Sequence, residues 1–255
     1  MKSVRIMFWI AVVLTALMQV WQEYRIRQWQ APLTVALYPI SADSRNPRIH
    51  TYIQSLHAEH NTALNAFFVR EASKYKVRLS RPVQFVMGPQ IKQIPPAPPA
   101  VDAHWLDILW WSLKFRAFSW THQPAVGMPV DIRLYLIYHD PVQHPKLLHS
   151  TALHKGRIGR VNLFAEASQQ AANNVIIAHE LLHTLNATDK YAMHTLQPQF
   201  PQGYAEPYAQ PLYPQSMAEV MAGRVPLTAK RARMASSLDE VVVGWQTAKE
   251  IGWIH

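Results

Sequence analysis

Residues 179 to 183 read His-Glu-Leu-Leu-His, so two imidazoles and a carboxylate fall within five positions. On a helix, positions i and i+4 share one face, which puts His179 and His183 side by side with Glu180 next to them. Two neutral imidazoles at that spacing can hold one zinc ion and leave a position open for water. Zinc lowers the pKa of a bound water, and Glu180 is placed to take its proton as the water attacks a carbonyl carbon. Uncharged residues flank both histidines in "VIIAHELLHTL", as a buried metal-bearing helix requires. His50, His57, His60, His104, His122, His139, His144, His149 and His154 show no ligand spacing. The chemistry expected is hydrolysis of a peptide bond, with Glu180 as the base and zinc as the cofactor.

This string resembles the zincin metalloproteases, and more narrowly the metzincins. There the second histidine is followed by two residues, a glycine, two more residues and a third ligand. Here His183 is followed by "TLNATD", which places Asn186 at the glycine and Asp189 at the third ligand. The glycine of the family ends the helix in a left-handed conformation, and Asn is the next most tolerant residue there. The resemblance also implies a methionine-containing turn under the metal. "SMAEVMAGR" offers Met217 and Met221, and Ala222 and Gly223 after Met221 suit a tight turn. A gluzincin-like arrangement would instead take Glu219 as third ligand, and Glu206 and His194 are further alternatives. The family's oxyanion-stabilising tyrosine has no counterpart after Met221, which leaves Tyr191, Tyr204 and Tyr213 open for that role. Resemblance at motif level covers residues 156 to 255. It implies that "GRIGRVNLFA" (156 to 165) is an edge strand to which an extended substrate adds, and that residues 236 to 253 form a closing helix.

The elements that must position these groups show in the hydrophobic pattern. Strands are expected over 32 to 41, 83 to 88, 130 to 140 and 156 to 165, and helices over 48 to 76, 102 to 120 and 168 to 185. Asp102 and Ser168 are candidate helix caps. Trp105, Leu109, Trp110 and Leu113 read as core. Residues 94 to 100, "IPPAPPA", form a stiff extended connection, and the Pro-, Gln- and Tyr-rich stretch from 197 to 215 is irregular. Strands alternating with helices indicate an α+β (α/β layered) domain with a mixed sheet, over residues 31 to 255.

The first 30 residues differ. Lys2 and Arg5 precede an uncharged run from Ile6 to Gln22, near the lower limit for a membrane-spanning helix. Trp9, Trp21, Tyr24 and Trp29 suit interfacial positions. No small-x-small cleavage site follows, so an uncleaved single-pass anchor is expected, with the domain on the extracytoplasmic side.

Composition narrows the function classes. The 255 residues contain no cysteine, which excludes disulfides, thiolate catalysis and cysteine-ligated zinc. A hydrophobic fraction of 49% is enough for a sizeable core. The net charge of +9 comes without a compact Lys/Arg run with interleaved aromatics, so no nucleic-acid partner is expected. The expected partners are a protein or peptide substrate and the membrane. Two other functions fit the same motifs: a non-catalytic envelope binding or scaffold protein with a zincin fold, and a zinc amidase acting on a non-protein substrate.

Overall fold

The computed structural model describes residues 2 to 100 and 102 to 254. Its centre is a five-stranded sheet. Four strands are parallel: β1 (Leu33–Ser41), β2 (Val83–Met87), β3 (Ile132–His139) and β5 (Ile158–Phe164). Short β4 (Thr151–Leu153) runs antiparallel to β5, and the strand order is β2-β1-β3-β5-β4. Parallel strands are covered on both faces, which explains their near-continuous apolar sequences. Val35, Leu37, Leu134, Leu136, Val161 and Leu163 face the larger core. Their alternates Ala36, Tyr38, Ile40, Tyr135 and Ile137 face a smaller one.

Helices α2 (Pro47–Gln54), α3 (Thr62–Lys74) and α5 (Gln170–Thr184) fill the larger core with Ile49, Phe67, Phe68 and Leu181. Asn46 starts α2: its side chain accepts from the amides of Arg48 and Ile49, with Pro47 at the first position. A 3₁₀ turn, Ala58–Asn61, separates α2 from α3, so the single helical region expected over 48 to 76 is two helices. Helix α4 (Trp105–Thr121) covers the other face through Trp111 and Phe115.

Several expectations need correction. Helix α4 is capped by His104, not Asp102. It also buries a different face: Trp105 and Trp110 are 63% and 60% exposed, Leu109 and Leu113 are exposed too, and Trp111, Ser112, Phe115 and Ser119 are buried. Its sequence is apolar nearly all round, so periodicity could not choose the face. Ser168 lies in a 3₁₀ turn ahead of α5 and does not cap it. Strand β5 is not an edge. After a turn with positive φ at Gly156 and Arg157, the chain preceding it lies alongside as β4, which takes the edge.

Residues 236 to 253 are not one helix. Ser237 caps a 3₁₀ turn, Leu238–Glu240, and β9 (Val241–Val242) pairs with β6 (Ala218–Glu219). Only α6 (Trp245–Glu250) is helical. Three consecutive valines favour extended backbone, and Gly244 separates them from the helix. Between β6 and β9 lies the hairpin of β7 (Arg224–Thr228) and β8 (Arg231–Met234).

The amino-terminal segment is helical, α1 (Lys2–Arg27). Among the described residues no helix is long and apolar enough to cross a membrane. Its apolar side chains are exposed at Ile6, Ile10, Leu14, Leu17 and Trp21. Its carboxyl end is fixed to the sheet domain, with Ile26 buried and Arg25 paired with Asp131. Trp29 is in the core rather than at an interface. It donates to the Ile251 carbonyl at 2.9 Å and packs edge-on against Trp253.

The carboxyl-terminal segment is held to α3 by one buried acid. Glu71 accepts from the Val243 amide at 3.0 Å and pairs with Arg70 and Lys74. Tyr75 donates to the Val243 carbonyl at 2.6 Å, and Arg70 donates to the carbonyls of Leu238 and Val241. Replacing Glu71 with Ala leaves the Val243 amide buried without a partner. The expected loss is about 2–3 kcal/mol of stability, read as a lower midpoint in urea unfolding at unchanged slope.

Candidate metal centre

Helix α5 carries both histidines, and its entry is fixed by Asn173. That side chain accepts from the Phe164 amide at 3.1 Å and donates to the Phe164 carbonyl at 2.9 Å, locking the helix to the end of β5. The helix exit is equally defined. Asn186 has φ +77°, and the amides of Ala187 and Asn186 donate back to the carbonyls of Leu182 and His183. This is a Schellman termination with Asn at the left-handed position, where the resemblance implied a helix-ending turn. It turns the chain so that Asp189 returns to the helix face.

The residues on either side of Asp189 are clamped. The Thr188 amide donates to Glu250 at 3.0 Å, the Lys190 amide donates to the Met221 carbonyl at 3.0 Å, and the Lys190 ammonium pairs with Glu250 at 2.7 Å. As a result Asp189 Oδ1 lies 3.2 Å from both His179 Nε2 and His183 Nε2, which are themselves 3.0 Å apart. Four-coordinate zinc with bonds of about 2.1 Å separates its ligand atoms by about 3.4 Å. The triangle is close to that size, and the three residues are a group that could hold a metal ion.

Proton inventory makes the cluster unusual. His179 Nδ1 lies 3.0 Å from the Val220 carbonyl and His183 Nδ1 lies 2.8 Å from the Ala187 carbonyl. Carbonyls only accept, so both rings must donate through Nδ1. In their neutral forms both Nε2 atoms then present lone pairs, and they point at each other and at a carboxylate. Three acceptors converge with no donor among them, a state that either an extra proton or a cation relieves. Asp189 Oδ1 has no well-aligned hydrogen bond, and the buried Glu180 Oε2 has no partner. Burial pushes His179 down, but Asp189 and Glu180 outweigh it and its pKa rises to about 9. Burial raises Asp189, yet the two imidazoles hold it far below the usual carboxylate range. Glu180 itself is pushed up by burial, against the pull of the two histidines.

Glu219 is elsewhere. It is fully buried and accepts four hydrogen bonds: from the amides of Met221 (2.6 Å), Ala222 (3.1 Å) and Gly244 (3.1 Å), and from the Thr247 hydroxyl (2.7 Å). A Cβ at residue 244 would come within 2.8 Å of the Glu219 side chain, so only glycine allows the approach. Burial raises its pKa, opposed by these donors and by Lys190. Its geometry is that of a brace for the turn at 220 to 223. Met221 lies in that turn and is buried in the core, while the group that reaches His179 is the Val220 carbonyl. Glu206 accepts from Ser216 in its own loop, and His194 is exposed. Neither belongs to the cluster.

A cavity of about 410 Å³ opens beside the histidines. His179, Glu180, Tyr191 and Arg224 line it, with Leu148 and Ile176 among its apolar walls. Of the three tyrosines left open by the sequence, Tyr191 is the one that lines it. Tyr204 and Tyr213 bond each other at 2.6 Å. Burial and the neighbouring Asp189 push the Tyr191 hydroxyl above its usual range, so it remains a donor. Residues 147 to 150, which precede β4, line one side of the cavity, and no residue of β5 does.

No protein-family model and no curated protein matches this chain.

The bracing carbonyls of Val220 and Ala187, the Glu250 clamp and the place of Arg224 carry no local sequence signal. Each depends on contacts between distant segments. Two substitutions separate the ligand from the brace. Asp189→Ala should keep the fold and lower zinc affinity by about tenfold or more. Glu219→Ala should lose about 2–3 kcal/mol of unfolding free energy and so unfold at a lower midpoint, because its amide donors lose their acceptor. Zinc titration with a chromogenic chelator and denaturant melts read the two effects independently.

Proposed function

We propose that this chain is a zinc-dependent metallopeptidase of the zincin type, closest in motif to the metzincins. The observation that carries the reading is the convergence of His179 Nε2, His183 Nε2 and Asp189 Oδ1 within 3.2 Å of one another, with unpartnered Glu180 beside them on the cavity wall. His179, His183 and Asp189 would hold the ion. When bound, zinc acidifies a water and polarises a carbonyl oxygen. Glu180 takes the proton of the attacking water and delivers it to the departing nitrogen. Its raised pKa suits both halves of that transfer. Tyr191 provides a donor toward the carbonyl oxygen, and the rim at 147 to 150 receives the extended substrate backbone.

A buried carboxyl without a hydrogen-bond partner favours catalysis over a purely structural metal site, where such a group would only cost stability. The exposed apolar side chains of α1 support attachment to a membrane through that helix, with Lys2 and Arg5 on the cytoplasmic side.

The purified chain should bind one zinc. Glu180→Gln should retain the metal and lower hydrolysis of a casein-type substrate by about 10²–10⁴-fold. Chelation should abolish the wild-type activity and added zinc restore it. Zinc-free protein of full activity, or an active Glu180→Gln chain, would overturn the reading.

A further inference from the structure

Arg224 is, among the described residues, the only arginine or lysine on the wall of the cavity that also holds His149, His179, Glu180 and Tyr191. It opens β7, directly after the turn braced by Glu219, where Gly223 has φ +64°. Its backbone is fixed on both sides: Arg224 pairs with Met234 across the hairpin, and the Ala235 amide donates to the Gly223 carbonyl at 3.2 Å. The side chain is half-buried. Among the described residues its guanidinium has no hydrogen bond and no ion pair. Among the described residues Arg48, Arg78, Arg81, Arg133 and Arg231 also lack a carboxylate partner, but none of them lines this cavity. Arg25, Arg70, Arg157 and Arg233 each lie against a carboxylate.

The acids of the cavity do not neutralise Arg224. Asp189 is engaged by the two imidazoles, and Glu180 lies outside ion-pair distance of the guanidinium. The remaining walls include the apolar Leu147, Leu148, Leu196 and Met234, with His149 and Ser150 as the polar exceptions, neither of them a carboxylate. A half-buried guanidinium with no protein acceptor is matched by a planar carboxylate, which it can grip through two parallel hydrogen bonds. Aliphatic walls around it weaken competition from water and strengthen that pairing.

We propose that Arg224 selects substrates bearing a carboxylate within the cavity, close to the bond that is cut. This inference rests on the reading of the site as a peptidase. The carboxylate has two possible sources in a peptide, an acidic side chain or a free carboxyl terminus. Apolar side chains on the neighbouring residues of the substrate would pack against the leucine-lined wall.

The test uses the full chain with Glu180→Gln, loaded with zinc, so that peptides bind without being cut. Three dye-labelled leucine-rich peptides are compared by fluorescence anisotropy: one with a carboxyl-terminal amide and no acid, one with a free carboxyl terminus, and one amidated with an internal Glu. One of the two carboxylate-bearing peptides should bind about tenfold or more tightly than the uncharged one. Adding Arg224→Met should remove that preference, and Arg224→Lys should restore part of it. The identity of the favoured peptide tells the two sources apart. Zinc content and the unfolding midpoint report whether each variant is folded. Equal binding of all three peptides, or a preference that survives Arg224→Met, overturns the proposal. Wild-type hydrolysis separates the two readings. A chain that cuts peptides without a carboxylate preference loses only the role of Arg224. A chain that shows the Arg224-dependent preference but cuts nothing loses only the peptidase reading.

Discussion

One buried carboxylate organises everything around the candidate metal centre. Glu219 gathers the amides of Met221, Ala222 and Gly244 and the hydroxyl of Thr247, and so ties the turn at 220 to 223 to the start of α6. From that turn the Val220 carbonyl orients His179, the Met221 carbonyl anchors the backbone of Lys190 beside Asp189, and the chain continues into Arg224. Two of the three candidate ligands and the cation of the cavity therefore depend on the same turn. A carboxylate is suited to this work, because it offers several lone pairs and no proton of its own. The residue that a gluzincin-like reading would have made a ligand acts one layer behind the His179, His183 and Asp189 cluster.

The second constraint is the handling of protons. Each candidate histidine donates through Nδ1 to a backbone carbonyl, and this decides which nitrogen is left to face Asp189. Orientation and tautomer are set by the same bond. Because the acceptors are main-chain atoms of a turn and of a helix termination, side-chain substitution cannot remove them without disturbing the backbone. The cluster is thus built into the fold more deeply than its three side chains suggest.

The parts that could be read from sequence are those with a local cause. His179 and His183 share a helix face because of their spacing, and Asn186 takes a positive φ because the chain must turn there. The four parallel strands stand out because both of their faces are buried. Other features escaped because their causes are distant in the chain. Helix α4 is apolar on most of its circumference, and only the sheet beneath it decides that Trp111 and Phe115 are inside while Trp105 and Trp110 are not. The edge of the sheet passed from β5 to β4 because a hairpin folds back, and no residue within β5 announces that. Valines at 241 to 243 have a strand preference that an expected closing helix overlooked, and they found a partner in β6 more than twenty residues earlier.

The Glu250 clamp on Thr188 and Lys190 has a consequence for how the protein is made. Synthesis delivers the helix with both histidines, and Asp189 soon after, long before it delivers Glu250. Until α6 emerges and docks, the loop that carries Asp189 lacks the brace that aims it at the helix. Chains fold progressively from the amino terminus during translation. The candidate metal centre is therefore among the last features to mature, and an unfinished chain carries its three side chains without the assembled cluster.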